Sequence, residues 1–369
     1  MTEPAAFHLL QVCPHDIAPF RALCDAYRLS AAQKGGVVHT FFLSSPTDEP
    51  DPHAHYLHLK RLNRSGRTQR ALLRAVRQLQ TREQIEAFDA LICHRYRGFR
   101  ATRRLAIPDP LTIVVAHEFG MFERLGRRLY RQWFAKDVHF AGVSPAVCDE
   151  LAAITGFGMV LPNTIDVAQY DAQRLSRAEA RDRLGLPQDG PLIGVVGRIH
   201  YKKRPELALQ AFQTLTAREI NAELVYLGSG DPDAVAALQQ PGVHLPGAVA
   251  EGHRYFNAFD VLLHTGNVES FGMVVLEGML AGLPCVAAGK GPEYVLGGTG
   301  FVPEEDTPVA YADALQRALN ADPDVARKMR ERVIQRFSVD AFASQLEGTL
   351  RFLHQPNTEF DRSDKDASL

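Results

Sequence analysis

Short, continuously apolar β-like runs alternate with helical stretches along this chain, and that alternation narrows its possible folds more than any other feature. Residues 7–13, 37–43, 90–93, 112–116 and 138–143 are rich in β-branched or aromatic side chains, and helical patterns at 68–80 and 122–134 lie between them. Strands that are apolar on both faces need cover on both faces, and helices threaded between them supply it. The first half therefore reads as a parallel α/β sheet. Around 162–191 the pattern lapses. Pro162, Pro187 and Pro191 flank a polar stretch holding Asp166, Asp171, Arg174, Arg177 and Asp182, which reads as an interdomain crossing. The alternation restarts with strands at 192–196, 222–227, 243–245, 261–264 and 285–287, and with helices at 205–215, near 234–238 and from Phe271.

Two doubly wound halves follow, and 369 residues are more than one core of ordinary size carries. The expected division is 1–165, 166–345, and 346–369 for the end of a last helix at 339–353 and a polar tail. Doubly wound sheets bind ligands at the carboxyl ends of their strands, which makes a cleft between the halves the expected site. Charge is divided as well. Residues 1–165 hold 21 Lys+Arg against 15 Asp+Glu, leaving 20 against 28 for the remainder. A basic half joined to an acidic half admits an anionic partner for the first, although uneven solvated faces would look the same. Five cysteines, at 13, 24, 93, 148 and 285, fit neither a metal-ligand spacing nor a disulfide framework. The sequence shows no transmembrane-length apolar run and no export signal, so the expected location is cytoplasmic.

The most informative segment is HTGNVESFGMVVLEGMLAGLPC, His264 to Cys285. From Phe271 to Leu283 its only charge is Glu277, on a helix apolar all round and therefore buried. A buried carboxylate without a partner costs several kcal/mol. A structural Arg, backbone amides or the hydroxyl groups of a ligand would each satisfy it. Ser270 suits the N-cap, Gly272 admits close approach of a ligand to the backbone, and the first-turn amides beyond it suit a phosphate. After the strand at 192–196 comes Gly197-Arg198-Ile199-His200-Tyr201-Lys202-Lys203-Arg204, a strand-end glycine followed by clustered cations. It reads equally as a diphosphate clamp or as a solvated basic turn. Leu227-Gly228-Ser229-Gly230 alone reads as a turn.

Taken together, these segments resemble glycosyltransferase family 4. Glu269 and Glu277 enclose seven residues, as in its EX7E motif, and Gly197-Arg198 with Lys203 is similar to its GRLxxxKG stretch. Leu227-Gly228-Ser229-Gly230 resembles its LxxxGxG turn, Ala281-Gly282-Leu283-Pro284-Cys285-Val286 its AxGxPVV segment and Gly291-Pro292-Glu293 its GGxxE loop. The order holds from about Val195 to Val302. The likeness is looser before that, at His117-Glu118, Val143-Ser144 and Pro162-Asn163-Thr164-Ile165-Asp166.

The resemblance implies a GT-B fold, two Rossmann-like domains about a cleft, with the last helix crossing back to the first domain. It implies retaining transfer of a sugar from a nucleotide sugar, UDP- or GDP-linked, with no cofactor and no obligatory metal. By position, Arg198 and Lys203 would hold the diphosphate with amides near Gly272 and Met273. Glu277 would bind the ribose and Glu269 the sugar hydroxyls, and His117 would stand near the anomeric carbon. Acceptors in such a family are glycans or lipid-linked molecules, often of lipopolysaccharide or other surface polysaccharides. The rivals are a relative with a sugar-phosphate acceptor and a non-catalytic sugar-nucleotide or glycan-binding subunit.

Two segments depart from the family pattern. The loop after the first strand, Cys13-Pro14-His15-Asp16-Ile17, lacks the usual glycine, which makes His15 and Asp16 possible site residues in its place. Gly289-Lys290-Gly291 adds a cation to the other loop. In the basic half, Arg67, Arg70, Arg74 and Arg77 stand opposite Leu72, Leu73, Val76 and Leu79. Arg124, Arg127, Arg128 and Arg131 accompany Phe122, Leu125, Leu129 and Trp133. Such amphipathic basic helices suit an anionic membrane surface, a phosphorylated acceptor or plain solvation. Nucleic acid is not expected, because the aromatics lie on apolar faces and not among the cations.

Overall fold

The computed structural model describes residues 7–354 except 61, 63–64, 104–110 and 136; the expected polar tail from 355 onward lies outside the described residues. The first sheet contains β1 (His8–Cys13), β2 (Val37–Phe42), β3 (Ala54–Tyr56), β4 (Ala90–His94), β5 (Leu111–Ala116), β6 (Val138–Gly142) and β7 (Met159–Val160). The helices α1 (Ala18–Ala32), α2 (Ser65–Glu83), α3 (Arg95–Thr102), α4 (Leu125–Phe134) and α5 (Pro145–Thr155) connect them. All pairings are parallel and the order is β3-β2-β1-β4-β5-β6-β7. The chain therefore reverses its winding between β1 and β4. Every residue of β4 is buried, as expected of a strand covered on both faces.

The second sheet is built from β8 (Leu192–Val196), β9 (Glu223–Leu227), β10 (Val243–Gly247), β11 (Val261–His264) and β12 (Cys285–Ala287), in the order β10-β9-β8-β11-β12. Its reversal falls between β8 and β11. The polar segment read as a bare crossing instead forms two seven-residue helices, α6 (Val167–Gln173) and α7 (Arg177–Arg183), and both pack on the second half. Asp166 caps α6 through Gln169 N, and Ser176 with Glu179 forms a capping box on α7. Arg181 is fully buried and donates to the carbonyls of Ala258, Pro187, Gln188 and Gly190 and to Asp260. The charges that made the segment look like a linker are its fasteners.

Beyond these lie α8 (Pro205–Ala217), α9 (Pro232–Ala236), α10 (Met273–Ala281), α11 (Lys290–Leu296), α12 (Pro308–Leu319), α13 (Pro323–Phe337) and α14 (Val339–His354). The chain crosses between halves twice at one place. Ile165 pairs with the 337–339 segment through Ile165 N to Phe337 O and Val339 N to Ile165 O. After that second crossing α14 lies on α1: Ser30 Oγ donates to Val339 O, Lys34 pairs with Glu347, and Phe342 meets Tyr27 edge to face. No helix among the described residues is long and apolar enough to cross a membrane.

Candidate active site

Both reversals put the carboxyl ends of their strands toward the same region, where Ser270 after β11 reaches His117 after β5, and the loops there hold the side chains that the sequence proposes for the site. In the second half the loop after β8 lies against the loop after β9. Gly197 N bonds Leu227 O and Ile199 N bonds Ser229 O. A Cβ on Gly228 would stand 1.9 Å from Gly197 O, and one on Gly230 would stand 2.1 Å from Ile199 O. The GxG turn is thus a backbone-to-backbone contact that no side chain fits, while Gly197 itself, at φ +133°, faces open space. Across the reversal Lys203 forms an ion pair with Glu269, from the loop after β11. The neighbouring cations differ: Arg204 turns away to Asp306, and exposed Arg198 has no partner among the described residues.

His264, at the end of β11, was not singled out from sequence. Its Nε2 is buried without a hydrogen-bond partner, 3.9 Å from Glu269 Oε2. Burial, and secondarily the Lys203 charge, hold its pKa down to about 4, so the ring is neutral at neutral pH. Behind Glu269 the close fit of the 289–293 loop requires glycine, since a Cβ on Gly291 would lie 2.4 Å from Glu269 O and 2.6 Å from Phe271 N.

Helix α10 opens at Gly272, in the left-handed region at φ +102°, and no side chain caps it. Ser270 is not the cap the sequence suggested. Its hydroxyl donates to His117 O at 2.6 Å and ties the two halves together. The first-turn amides from Met273 onward therefore keep their electropositive end free of a capping side chain. One turn on, Glu277 sits where burial pushes its pKa up to about 7, with no other cause. Tyr170 Oη bonds the Glu277 backbone carbonyl, and the carboxylate has no cation or hydrogen bond among the described residues. Of the three partners the sequence allowed, the protein supplies neither the Arg nor the amides.

In the first half His117 follows β5. Its Nε2 lies 3.0 Å from Nδ1 of buried His94, and its Nδ1 lies 3.3 Å from Asn163 Oδ1. His94 continues to Gln11 Oε1 at 3.1 Å, and Gln11 Nε2 donates to Thr40 Oγ1 and Cys24 O. Burial lowers the His117 pKa to about 3. This rules the ring out as a neutral-pH acid and leaves it a fixed, neutral surface. His94, invisible to the sequence reading inside an apolar strand, is what fixes it.

Of the two first-loop residues, Asp16 turns inward. Its carboxylate is fully buried, accepting from Arg21 Nε at 2.8 Å and Tyr56 Oη at 2.9 Å, so it braces the loop and does not line the cleft. His15 stays at the edge, bonded to Arg97. Among the described residues no three His, Cys, Asp or Glu side chains converge as a metal set would.

Residues 190–321 match the family described as Glycosyl transferases group 1, a span that holds Arg198, Lys203, Glu269 and Glu277. The chain is 34% identical over 187 residues to the D-inositol 3-phosphate glycosyltransferase of Xylanimonas cellulosilytica, covering 46% of this chain and 44% of that protein. It spans less than half the length of the first curated relatives it matches. Among solved structures, sucrose-phosphate synthase of Thermosynechococcus elongatus superposes with a TM-score of 0.70 at 19% identity, covering 94% of this chain and 99% of that one. Anabaena Alr3699/HepE in complex with UDP and glucose gives 0.70 at 16% identity, covering 93% and 99%. The fold is GT-B, two Rossmann-like domains facing a central cleft.

Proposed function

We propose that the chain is a retaining glycosyltransferase that moves a sugar from a nucleotide sugar to an acceptor without an obligatory metal. One observation carries this reading. A carboxylate the protein leaves unpaired, Glu277, sits one turn behind an uncapped helix N-terminus, and the loop that leads into that helix carries Glu269, paired with Lys203. Ribose hydroxyls would donate to Glu277, and the diphosphate would take the α10 amides, Lys203 and Arg198. Glu269, freed from Lys203 by the arriving phosphate, would accept from the sugar hydroxyls. In support, the span that holds these residues matches group 1 glycosyltransferases, and a protein of the same fold is described with UDP and glucose.

Chemistry would begin with loosening of the bond from the anomeric carbon to the diphosphate oxygen. Fixed cations and helix amides stabilise the charge that develops there, the task a divalent ion would otherwise perform. The acceptor oxygen then bonds the carbon on the face the phosphate leaves, and its proton passes to the departing phosphate oxygen. His117 would line the other side as a neutral contact, and the Ser270–His117 bond would hold the cleft closed against water.

The acceptor is proposed to be a glycan or lipid-linked molecule used at a membrane surface. Helix α4 presents Leu125, Leu129 and Trp133, the first and last about 70% exposed, with Arg124 and Arg128 beside them. That combination suits an anionic interface. The α2 arginines 70, 74 and 77 are solvated while Leu72, Val76 and Leu79 are buried.

To test the reaction, the protein is incubated with UDP- and GDP-sugars, and the anomeric configuration of the released or transferred sugar is followed by proton NMR. Retained configuration with one donor, unchanged by EDTA, is expected. Inversion, or loss of turnover with EDTA, refutes the reading.

A further inference from the structure

The two sheets share a feature at their reversals, and only one of the two is accounted for. In the second, Lys203 from the loop after β8 meets Glu269 from the loop after β11. In the first, His15 from the loop after β1 meets Arg97 from the start of α3, just after β4: Arg97 Nη1 lies 3.0 Å from His15 Nε2. Crevices at such reversals, outside the carboxyl ends of parallel strands, are where doubly wound sheets take ligands.

We propose that the β1/β4 crevice is an anion site that holds a phosphate ester of the acceptor through Arg97, Arg95 and His15. This rests on the transferase reading and adds that the acceptor named there carries a phosphate ester. Arg97 is exposed and pairs with no carboxylate among the described residues; its one partner there is an imidazole nitrogen. The His15 ring is held neutral by burial and by Arg97 and Arg95, so accepting from Arg97 cancels none of its charge. Four of its five N–H groups remain for an incoming anion.

Arg95 adds a second guanidinium. It pairs with exposed Glu118 at 2.6 Å and stacks over Phe20, leaving the group with a net positive charge. Its backbone is left-handed at φ +62°, unusual for a residue that is not glycine, Asn or Asp. The site also lies in the right place. Phe20 meets His117 edge to face at 5.5 Å, and His117 O is the atom that Ser270 reaches from the other half. A phosphate in this crevice would hold an acceptor hydroxyl beside the donor sugar.

Binding of inorganic phosphate to the full chain, measured by calorimetry at low salt, tests the site in wild type, Arg97→Gln and Lys203→Ala. Arg97→Gln should weaken phosphate binding about ten- to a hundredfold, the worth of one hydrogen bond between charged groups, and Lys203→Ala should leave a phosphate site intact. Equal binding by Arg97→Gln and wild type overturns the proposal. So does loss in Lys203→Ala alone, which would place the anion at the other crevice. His15→Asn, which removes the partner of Arg97 and keeps that cation, is the second variant if Arg97→Gln does not fold; unchanged phosphate binding by it overturns the proposal.

Glucose 6-phosphate against glucose, and phosphatidylcholine vesicles with and without phosphatidylinositol, separate a soluble ester from a lipid headgroup. Preference for either phosphorylated partner that Arg97→Gln abolishes supports the site; no preference for either overturns it. Nucleotide-sugar titrations of the same preparations keep the readings apart. Phosphate bound through Arg97 with no nucleotide sugar bound would sink the transferase reading and leave the anion site standing.

Discussion

Glu277→Gln should make the ligand-free protein more stable at pH 8 while destroying its affinity for a nucleotide sugar. Burial lifts the carboxyl from 4.5 to about 7. At about 1.36 kcal/mol per unit, that rise of roughly 2.5 units corresponds to about 3 kcal/mol. The residue is only partly buried, which brings the expectation to about 2–3 kcal/mol. The sign follows from proton binding. The folded state holds this proton more tightly than the unfolded chain, so stability falls as pH rises from about 4.5 to about 7 and is level above that. Glutamine, of the same shape and never charged, avoids the loss. The variant should therefore gain most at pH 8 and under about 1 kcal/mol at pH 5. Scanning calorimetry of both proteins without ligand, at the two pH values, reads this directly. A variant less stable than wild type at pH 8, or with the same difference at both pH values, would mean that the carboxylate has a partner in the protein. The ligand argument built on its isolation would then fail.

Other consequences are separately testable. Lys203→Ala should weaken nucleotide-sugar binding about ten- to a hundredfold by titration calorimetry, whereas Arg204→Ala, whose charge is turned to Asp306, should not change it. Affinity for a nucleotide sugar should fall as pH drops below about 7, by up to about tenfold per unit, because the hydroxyls bind the ionised Glu277; a flat profile from pH 5 to 8 would contradict that. Gly228→Ala drives a methyl into Gly197 O and should cost about 1–3 kcal/mol or more, seen as a lowered melting temperature with weakened nucleotide binding. Arg181→Met strands four carbonyls and Asp260, and should destabilise the second half by about 3–5 kcal/mol in denaturant unfolding.

What the sequence shows clearly is whatever repeats or recurs in spacing. Strands such as β1, β4 and β8 announce themselves because they are buried on both faces, and α10 because one carboxylate interrupts an apolar helix. Short elements escape: β3 and β7 have three and two residues, and α6 and α7 seven each, too few for periodicity to separate them from a polar linker. Arg181 looks like any surface arginine until five hydrogen bonds are seen closing over it. His94 is hidden for the opposite reason, since it ends an apolar strand and only the β4–β5 pairing brings it to His117. Ser270 has the composition of a helix cap and the geometry of a bridge between halves. Asp16 and His15 are neighbours in sequence, yet the first is saturated inside the fold and the second stays half-buried at its edge, bonded to Arg97. That choice was made by Arg21, five residues on in the first turns of α1, and by Tyr56, forty residues away on β3, a pairing that no local pattern reveals.

The central claim is that the cleft is a nucleotide-sugar site whose ribose contact is Glu277. Titration of the purified chain with UDP-, GDP- and ADP-sugars, beside Glu277→Gln, tests it most directly. One nucleotide sugar binding wild type and releasing about half a proton at pH 7, the share Glu277 holds at its pKa of about 7, with binding lost in the variant, is the predicted result. Binding that survives the substitution unchanged, or no binding of any of them by wild type, would contradict it.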